Sequence, residues 1–477
     1  MMRYGLVIII MMVLSIKLNA QLTVAKIIGN NMVLQQGQPL PVWGHAEAGA
    51  AINVRFKQQR QQTLADASGN WKVVLKPEQA SFDPAVLEIR SGKETISLQN
   101  VLVGEVWLCS GQSNMEFAMR KIGKLQPPSG ADWPVAELAK AQNTNIRIFL
   151  VERKKMMPDS THAGWNQAEG TALRSFSAVG YFFAKELQAK LKVPVGVISA
   201  AIPGSRIEPW MPREAFTAVK FFREQKDSTH KIDGDPGKFY TTMIRPLIPF
   251  ALKGFLWYQG ESNCFLNERL QYSYKMEALI NYWRKQWNNN RLPFFYVQIA
   301  PYYYSKATDR SYTVYSEPEF WEAQAAVLRV PHTAMISTLD LNSDPADLHP
   351  VNKWDLGKRL AGTALSAAYK VSSGAPMGPV FKKAERKANT FIIDFEYKGK
   401  GLVSRDGKSL RGFEIENERG GYVKAEAIIK DDRVWVRAPE VAAPRSVRYA
   451  WREDARPSLY SKDSLPALPF RTAPRDL

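Results

Sequence analysis

The chain is 477 residues long, with 45% hydrophobic and 23% charged residues, an ordinary globular composition at a length that predicts two or three domains. Its formal net charge is +18, but the 64 Lys and Arg residues are scattered, with no basic block longer than Arg153-Lys154-Lys155, which argues against nucleic acid as a partner. Two cysteines, Cys109 and Cys264, exclude a disulfide scaffold and a thiolate zinc site and leave open only a single bridge between them.

The N-terminus reads as a secretory signal over residues 1–20: Arg3, an unbroken apolar run over 6–14, and Leu18-Asn19-Ala20 before the cut. That run is shorter than the ~20 apolar residues a membrane-spanning helix needs. No cysteine is placed for a lipid anchor, and no later stretch reads as transmembrane. An exported protein, periplasmic or secreted and without a membrane anchor, is expected.

Residues 21–99 alternate apolar and polar positions between turns, as in Ile52-Asn53-Val54-Arg55-Phe56 and Trp71-Lys72-Val73-Val74-Leu75, which predicts a β-sandwich-like domain. From residue 100 the rhythm becomes strands alternating with helices. Strands are predicted over 103–109, 146–151, 195–198, 254–258, 294–299 and 334–339, and helices over 177–191 and 353–369. Such alternation predicts an α/β domain over 100–371, a parallel sheet with helices on both faces, whose ligands bind beyond the carboxyl ends of the strands. Residues 372–477 return to β pattern, with strands near 391–395, 422–427 and 434–437.

Four segments carry candidate chemistry at that carboxyl edge. Ser113 follows an apolar run in Val106-Trp107-Leu108-Cys109-Ser110-Gly111-Gln112-Ser113-Asn114-Met115, where a turn can expose a nucleophile. Gly204, in Ile202-Pro203-Gly204-Ser205-Arg206, lets a backbone N–H approach a ligand. Trp257-Tyr258-Gln259-Gly260-Glu261-Ser262-Asn263 adds two side-chain amides, Gln259 and Asn263, and a carboxylate, Glu261. Asp347-Leu348-His349-Pro350 offers a base and an orienting acid just before the last helix. The other four histidines, His45, His162, His230 and His332, have no comparable setting and read as surface or core residues.

The blocks Gly111-Gln112-Ser113-Asn114-Met115, Trp257 to Asn263 and Asp347-Leu348-His349-Pro350, in this order, resemble the sialate O-acetylesterase family of the SGNH hydrolases. Met243-Ile244-Arg245-Pro246-Leu247-Ile248-Pro249 and Leu292-Pro293-Phe294-Phe295-Tyr296-Val297-Gln298 also resemble it, so the similarity covers roughly 100–368. The resemblance implies a flavodoxin-like three-layer α/β/α hydrolase domain flanked by N-terminal and C-terminal β regions. It implies a serine esterase removing O-acetyl groups from carbohydrates, a sialate 9-O-acetylesterase first and an acetylxylan or other plant-glycan acetylesterase second. Its partner would be an acetylated carbohydrate such as a sialylated glycan, with no metal and no organic cofactor. The resemblance makes Ser113 the nucleophile, His349 the general base and Asp347 the acid behind it. The backbone N–H groups of Ser113 and Gly204, with an amide from Gln259 or Asn263, would form the oxyanion hole.

The chain departs from the pattern in two places. The wider superfamily has Asp three residues before its His, where this chain has Ala346, so Glu261 stands as the alternative acid, with Asp344 and Asp340 behind it. The family's two consecutive glycines are Pro203-Gly204 here, and proline has no N–H to donate. Arg206 is a candidate substrate-binding residue that could pair with the carboxylate of an acidic sugar, against a purely structural bond to Glu208 or a nearby carbonyl. Tyr302, Tyr303, Tyr304, Tyr312, Tyr315 and Trp321 read either as a platform for a sugar ring or as packing of a long loop. Two other function classes compete: an esterase for simple acyl chains, and a silent carbohydrate-binding protein on an esterase scaffold.

Overall fold

The computed structural model of the chain describes residues 21–151, 164–224, 232–307 and 311–472. The predicted signal over 1–20, His162 and His230 lie outside them.

The N-terminal strands form two sheets. Thr23–Val24, Leu40–His45 and Asn70–Leu75 make one; Ala51–Phe56, Gln59–Leu64 and Ser81–Ser91 belong to the other. Strict alternation puts Ile52, Val54 and Phe56 against Trp71, Val73 and Leu75 in one apolar core. The second sheet runs without a linker into the central one, because both share the 18-residue strand β1 (Glu94–Gly111). The predicted change of rhythm at residue 100 falls inside this strand.

The central elements follow as α1 (Ser113–Glu116), β2 (Gln142–Leu150), β3 (Trp165–Glu169), α2 (Ala178–Leu191), β4 (Val195–Ala201), β5 (Gly254–Tyr258), α3 (Glu261–Cys264), α4 (Gln271–Gln286), β6 (Phe294–Val297), α5 (Ser316–Ala326), β7 (Thr333–Ile336) and α6 (Lys353–Ala367). Their order across the sheet is β3-β2-β4-β1-β5-β6-β7, parallel except for the antiparallel edge strand β3. The five strands β4-β1-β5-β6-β7 have the flavodoxin-like order, with the topological switch beside β1. Both faces are covered, which is why β1 is buried from Val101 to Gly111 and reads as a mostly apolar run, interrupted by Glu105, whose carboxylate is held by Gln35, Gln36 and Tyr369. Successive residues of β1 face opposite cores. Val106 and Leu108 pack with Tyr272, Met276, Trp283, Phe320 and Trp321 of α4 and α5. Trp107 and Cys109 pack with Val179, Phe183 and Leu187 of α2 and Leu356 and Leu360 of α6.

The C-terminal strands, from Val380–Lys387 to Phe470–Arg471, enclose their own core around Phe391, Ile393, Phe413, Ile415, Val434 and Tyr449. This region braces loops at the carboxyl edge of the central sheet. Glu453 accepts from the Ser305 backbone N–H at 2.9 Å, Arg456 donates to the carbonyls of Asn342 and Ser343, and Arg471 pairs with Glu322 at 2.9 Å.

Candidate active site

The turn that carries Ser113 is set by the end of β1. Gly111 adopts φ +138°, and a Cβ there would lie 2.1 Å from the Tyr258 carbonyl oxygen, so only glycine lets β1 close on β5. The Gln112 N–H donates to that same carbonyl at 2.9 Å. Helix α1 then begins at Ser113, and the N–H groups of a first turn have no acceptor inside their own helix. Gln112 was not among the candidates read from sequence, yet it ties the two turns together. Its Oε1 accepts from Gln259 Nε2 at 3.2 Å and from the backbone N–H groups of Ser262 at 3.3 Å and Gly260 at 3.4 Å. Its place beside Ser113 in Gly-Gln-Ser-Asn was the available signal.

His349 comes to this turn from the loop before α6, and its Nε2 lies 2.8 Å from Ser113 Oγ. The loop is fixed from several sides. Asn342 donates to the carbonyls of Pro301 at 2.7 Å and Asp347 at 3.1 Å, and Arg359 grips Asp340 with two 2.7 Å bonds. Asp340 is thereby engaged elsewhere, and Asp344 accepts from the Ala346 N–H in an exposed turn. Asp347 accepts the His349 backbone N–H at 2.8 Å, closing the turn that carries the imidazole, and its charge favours the imidazolium. Burial and the Lys353 ammonium outweigh that charge and hold His349 below its ordinary pKa.

Glu261 is buried beside the Ser113 turn, but its partner is Asn114, whose Nδ2 donates to Oε1 at 2.5 Å. Burial pushes this carboxyl up despite that bond, and its Oε2 has no partner among the described residues. Asn114 Nδ2 also donates to the Leu348 carbonyl at 3.0 Å, and its Oδ1 accepts from Lys353 Nζ at 2.9 Å.

The two amide candidates are already committed to other groups. Gln259 Nε2 donates to Gln112, to the Ser205 carbonyl at 3.2 Å and to Asn263 Oδ1 at 2.8 Å, while its Oε1 accepts from Tyr272 at 2.8 Å. Asn263 Oδ1 accepts the Ile207 N–H at 3.0 Å, and its Nδ2 faces Glu268 at 3.0 Å and Glu208 at 3.3 Å. Both residues are fully buried and organise the loop that bears Gly204. Gly204 itself is exposed at φ +69°, with open space where a side chain would stand. Asn263→Ala is therefore expected to lower unfolding free energy by about 1–3 kcal/mol in a denaturant titration, the cost of orphaning buried hydrogen-bonding groups. Loss of an oxyanion donor would instead cut kcat by about 10²–10³-fold with stability intact.

Arg206 Nη1 pairs with Asp233 Oδ1 at 3.1 Å and keeps a third of its side chain exposed, while Glu208 is held by Lys275 at 2.5 Å rather than by Arg206. Of the aromatic cluster, Tyr304, Tyr312 and Trp321 are buried packing residues, Tyr302 and Tyr303 are half-buried, and Tyr315 lies on the surface with the Arg448 guanidinium 4.7 Å from its ring. Cys109 and Cys264 are free buried thiols, and Cys109 Sγ faces Gly180 of α2. His332 precedes β7 at the opposite edge of the sheet, and His45 lies in the N-terminal sheets, bonded to the Ser68 carbonyl.

A serine and a histidine in hydrogen-bond contact, beyond the carboxyl edge of a flavodoxin-like sheet, fit the class of carboxylic ester hydrolases. The family profile described as carbohydrate esterase, sialic acid-specific acetylesterase, matches residues 103–366, and the chain belongs to that family. It is 28% identical over 456 residues to sialate O-acetylesterase of Rattus norvegicus, covering 82% of this chain and 81% of that protein. Against the Homo sapiens sialate O-acetylesterase it is 27% identical over 411 residues, covering 78% and 76%. The crystal structure of a carbohydrate acetylesterase from Xanthomonas citri superposes with a TM-score of 0.82 at 34% identity, over 95% of this chain and all of that one. The protein is thus a carbohydrate esterase, an enzyme rather than a silent binding scaffold.

Proposed function

We propose that the protein removes O-acetyl groups from sugar hydroxyls through an acetyl-enzyme on Ser113, with His349 as general base. The observation that carries this reading is the 2.8 Å contact between His349 Nε2 and Ser113 Oγ. Ser113 Oγ attacks the acetyl carbonyl carbon as its proton passes to Nε2. The tetrahedral oxyanion is met by the backbone N–H groups of Ser113 and Gly204. Collapse breaks the bond to the sugar oxygen, which takes the proton from His349 and leaves as the alcohol. Water then attacks the acetyl-enzyme with His349 again as base, acetate leaves, and Ser113 recovers its proton.

Asp347 is the acid of this reading, acting through the turn it closes and through its charge beside the imidazole. Asp347→Asn is accordingly expected to lower kcat for acetate release more than Glu261→Gln does. The reverse order would make Glu261 the acid. A neutral His349 is the active form, so activity falls as the pH drops through its pKa. Because that pKa lies below the ordinary value, the acid limb of kcat/KM is expected below pH ~6.5. A pH–rate profile on 4-nitrophenyl acetate checks this.

The substrate of first choice is a 9-O-acetylated sialic acid, supported by the sialate O-acetylesterases among the relatives and by Arg206 on the Gly204 loop. A second reading, an acetylated neutral plant glycan such as acetylxylan, is favoured by the Arg206–Asp233 pair, which already compensates the guanidinium. Acetate release from 9-O-acetyl sialic acid and from acetylated xylan, measured side by side, tests the choice. Faster release from the sialic acid supports the first reading, and release from xylan alone overturns it.

A further inference from the structure

Lys353, in the first turn of α6, is 1% exposed, and the catalytic scheme above does not use it. Its Nζ donates to Asn114 Oδ1 at 2.9 Å and to the carbonyl of Pro350, the residue after His349. The ammonium also sits 4.8 Å from the centre of the Phe117 ring and 5.8 Å from that of Tyr258. Asn114 passes the contact on. Its Nδ2 donates to Glu261 Oε1 and to the Leu348 carbonyl, the residue before His349. A cation and a carboxylate, both buried, thus face each other through one amide, and that amide belongs to the residue after the nucleophile. The carbonyls of the residues before and after His349, Leu348 and Pro350, are anchored to the same network.

We propose that Lys353 is a positioning residue for His349, tying its turn to the nucleophile turn through Asn114 and opposing a second positive charge on the imidazole. The proposal rests on the reading of His349 as the base. The groups that face the imidazole are Ser113 from the nucleophile turn, Asp347 from its own loop, Lys353 from α6 and Lys121 from the short helix Met119–Ile122. Glu261, Asp347 and Lys121 act in turn on Lys353. Asp347 favours the imidazolium, whereas Lys353 and Lys121 disfavour it.

The sign of the effect follows from the placing of the Lys353 ammonium against the His349 turn. Burial pushes the Lys353 pKa down to about 7, against the pull of Glu261. Below neutral pH, where His349 would take up its proton, Lys353 is therefore cationic and its field is present. Without it, the imidazole would protonate at higher pH and the enzyme would lose its base sooner on acidification.

The test compares pH profiles of kcat/KM on 4-nitrophenyl acetate for the wild type, Lys353→Met and the double variant Lys353→Met/Glu261→Gln. Removing one member of a buried charged pair leaves the other uncompensated and can unfold the chain; the double variant removes both charges together. The acid limb is expected to move up by about half to one pH unit in whichever variant melts cooperatively, a roughly three- to tenfold relative loss on the acid side. A limb that stays in place, whether or not the plateau falls, would reduce Lys353 to a structural role and overturn the proposal. A wild-type profile with no acid limb would instead overturn the assignment of His349 as base.

Discussion

Ser113→Ala lowers kcat for acetate release by about 10⁴–10⁶-fold in the expected result, with unchanged thermal unfolding. The magnitude follows from the behaviour of nucleophile–base pairs, in which removal of either member costs nearly as much as removal of both. His349→Ala should give a loss of the same order, and Ser113→Ala/His349→Ala little more than either alone. The non-additivity is the informative part. Two residues 2.8 Å apart that act on one proton, as proposed, would lose one function together. If the two single losses multiplied in the double variant, they would not share a step. Residual turnover should remain, because the N–H groups at the start of α1 and at Gly204 do not depend on the side chain removed.

The largest expected effect on stability lies behind the Gly204 loop. Lys275 of α4 donates to Glu208 at 2.5 Å and to Glu268 at 2.7 Å, and Asn263 Nδ2 faces the same two carboxylates. All four residues are buried. Burial disfavours the charge on Lys275, but Glu268 and Glu208 more than offset it and raise its pKa; burial leaves Glu268 raised as well. Lys275→Met would leave two carboxylates facing each other with no cation. The expected cost is about 3–5 kcal/mol of unfolding free energy, read from chemical denaturation. Neutralising the carboxylates in the same chain, Lys275→Met/Glu208→Gln/Glu268→Gln, should recover most of that loss. If Lys275→Met alone were neutral, the network would have no structural weight.

Much of the central sheet was legible because parallel strands buried on both faces leave apolar runs, such as Val106 to Cys109 and Gly254 to Tyr258. Five labelled elements of this domain were not, and two of them, α1 and α3, are four-residue turns too short to show a period. The edge strand β3, Trp-Asn-Gln-Ala-Glu, is short and half polar, and nothing local marks it as a strand. Helix α5 has no apolar stripe to read, because Ser316, Glu317, Glu322 and Gln324 are buried along with Phe320 and Trp321. Helix α4 carries an apolar face that went unassigned between two motif blocks. In the candidate site, the approach of Ser113 and His349 was legible from strand ends and from the resemblance. The engagement of Gln259 and Asn263 was not, because their partners Glu208, Glu268 and Tyr272 arrive from other turns and from α4. Lys353 opens the predicted helix over 353–369 and carries no mark in the sequence that sets it apart. Its burial is a product of packing among Asn114, Phe117 and Tyr258, which no spacing in the chain announces.

The central claim, that acetyl transfer passes through Ser113, is tested most directly by labelling with a serine-directed fluorophosphonate followed by peptide mass mapping. The expected result is one label per chain on the peptide containing Gly111-Gln112-Ser113-Asn114-Met115, lost in Ser113→Ala and slowed in His349→Ala. A label on any other serine, or equal labelling of Ser113→Ala, would contradict the account.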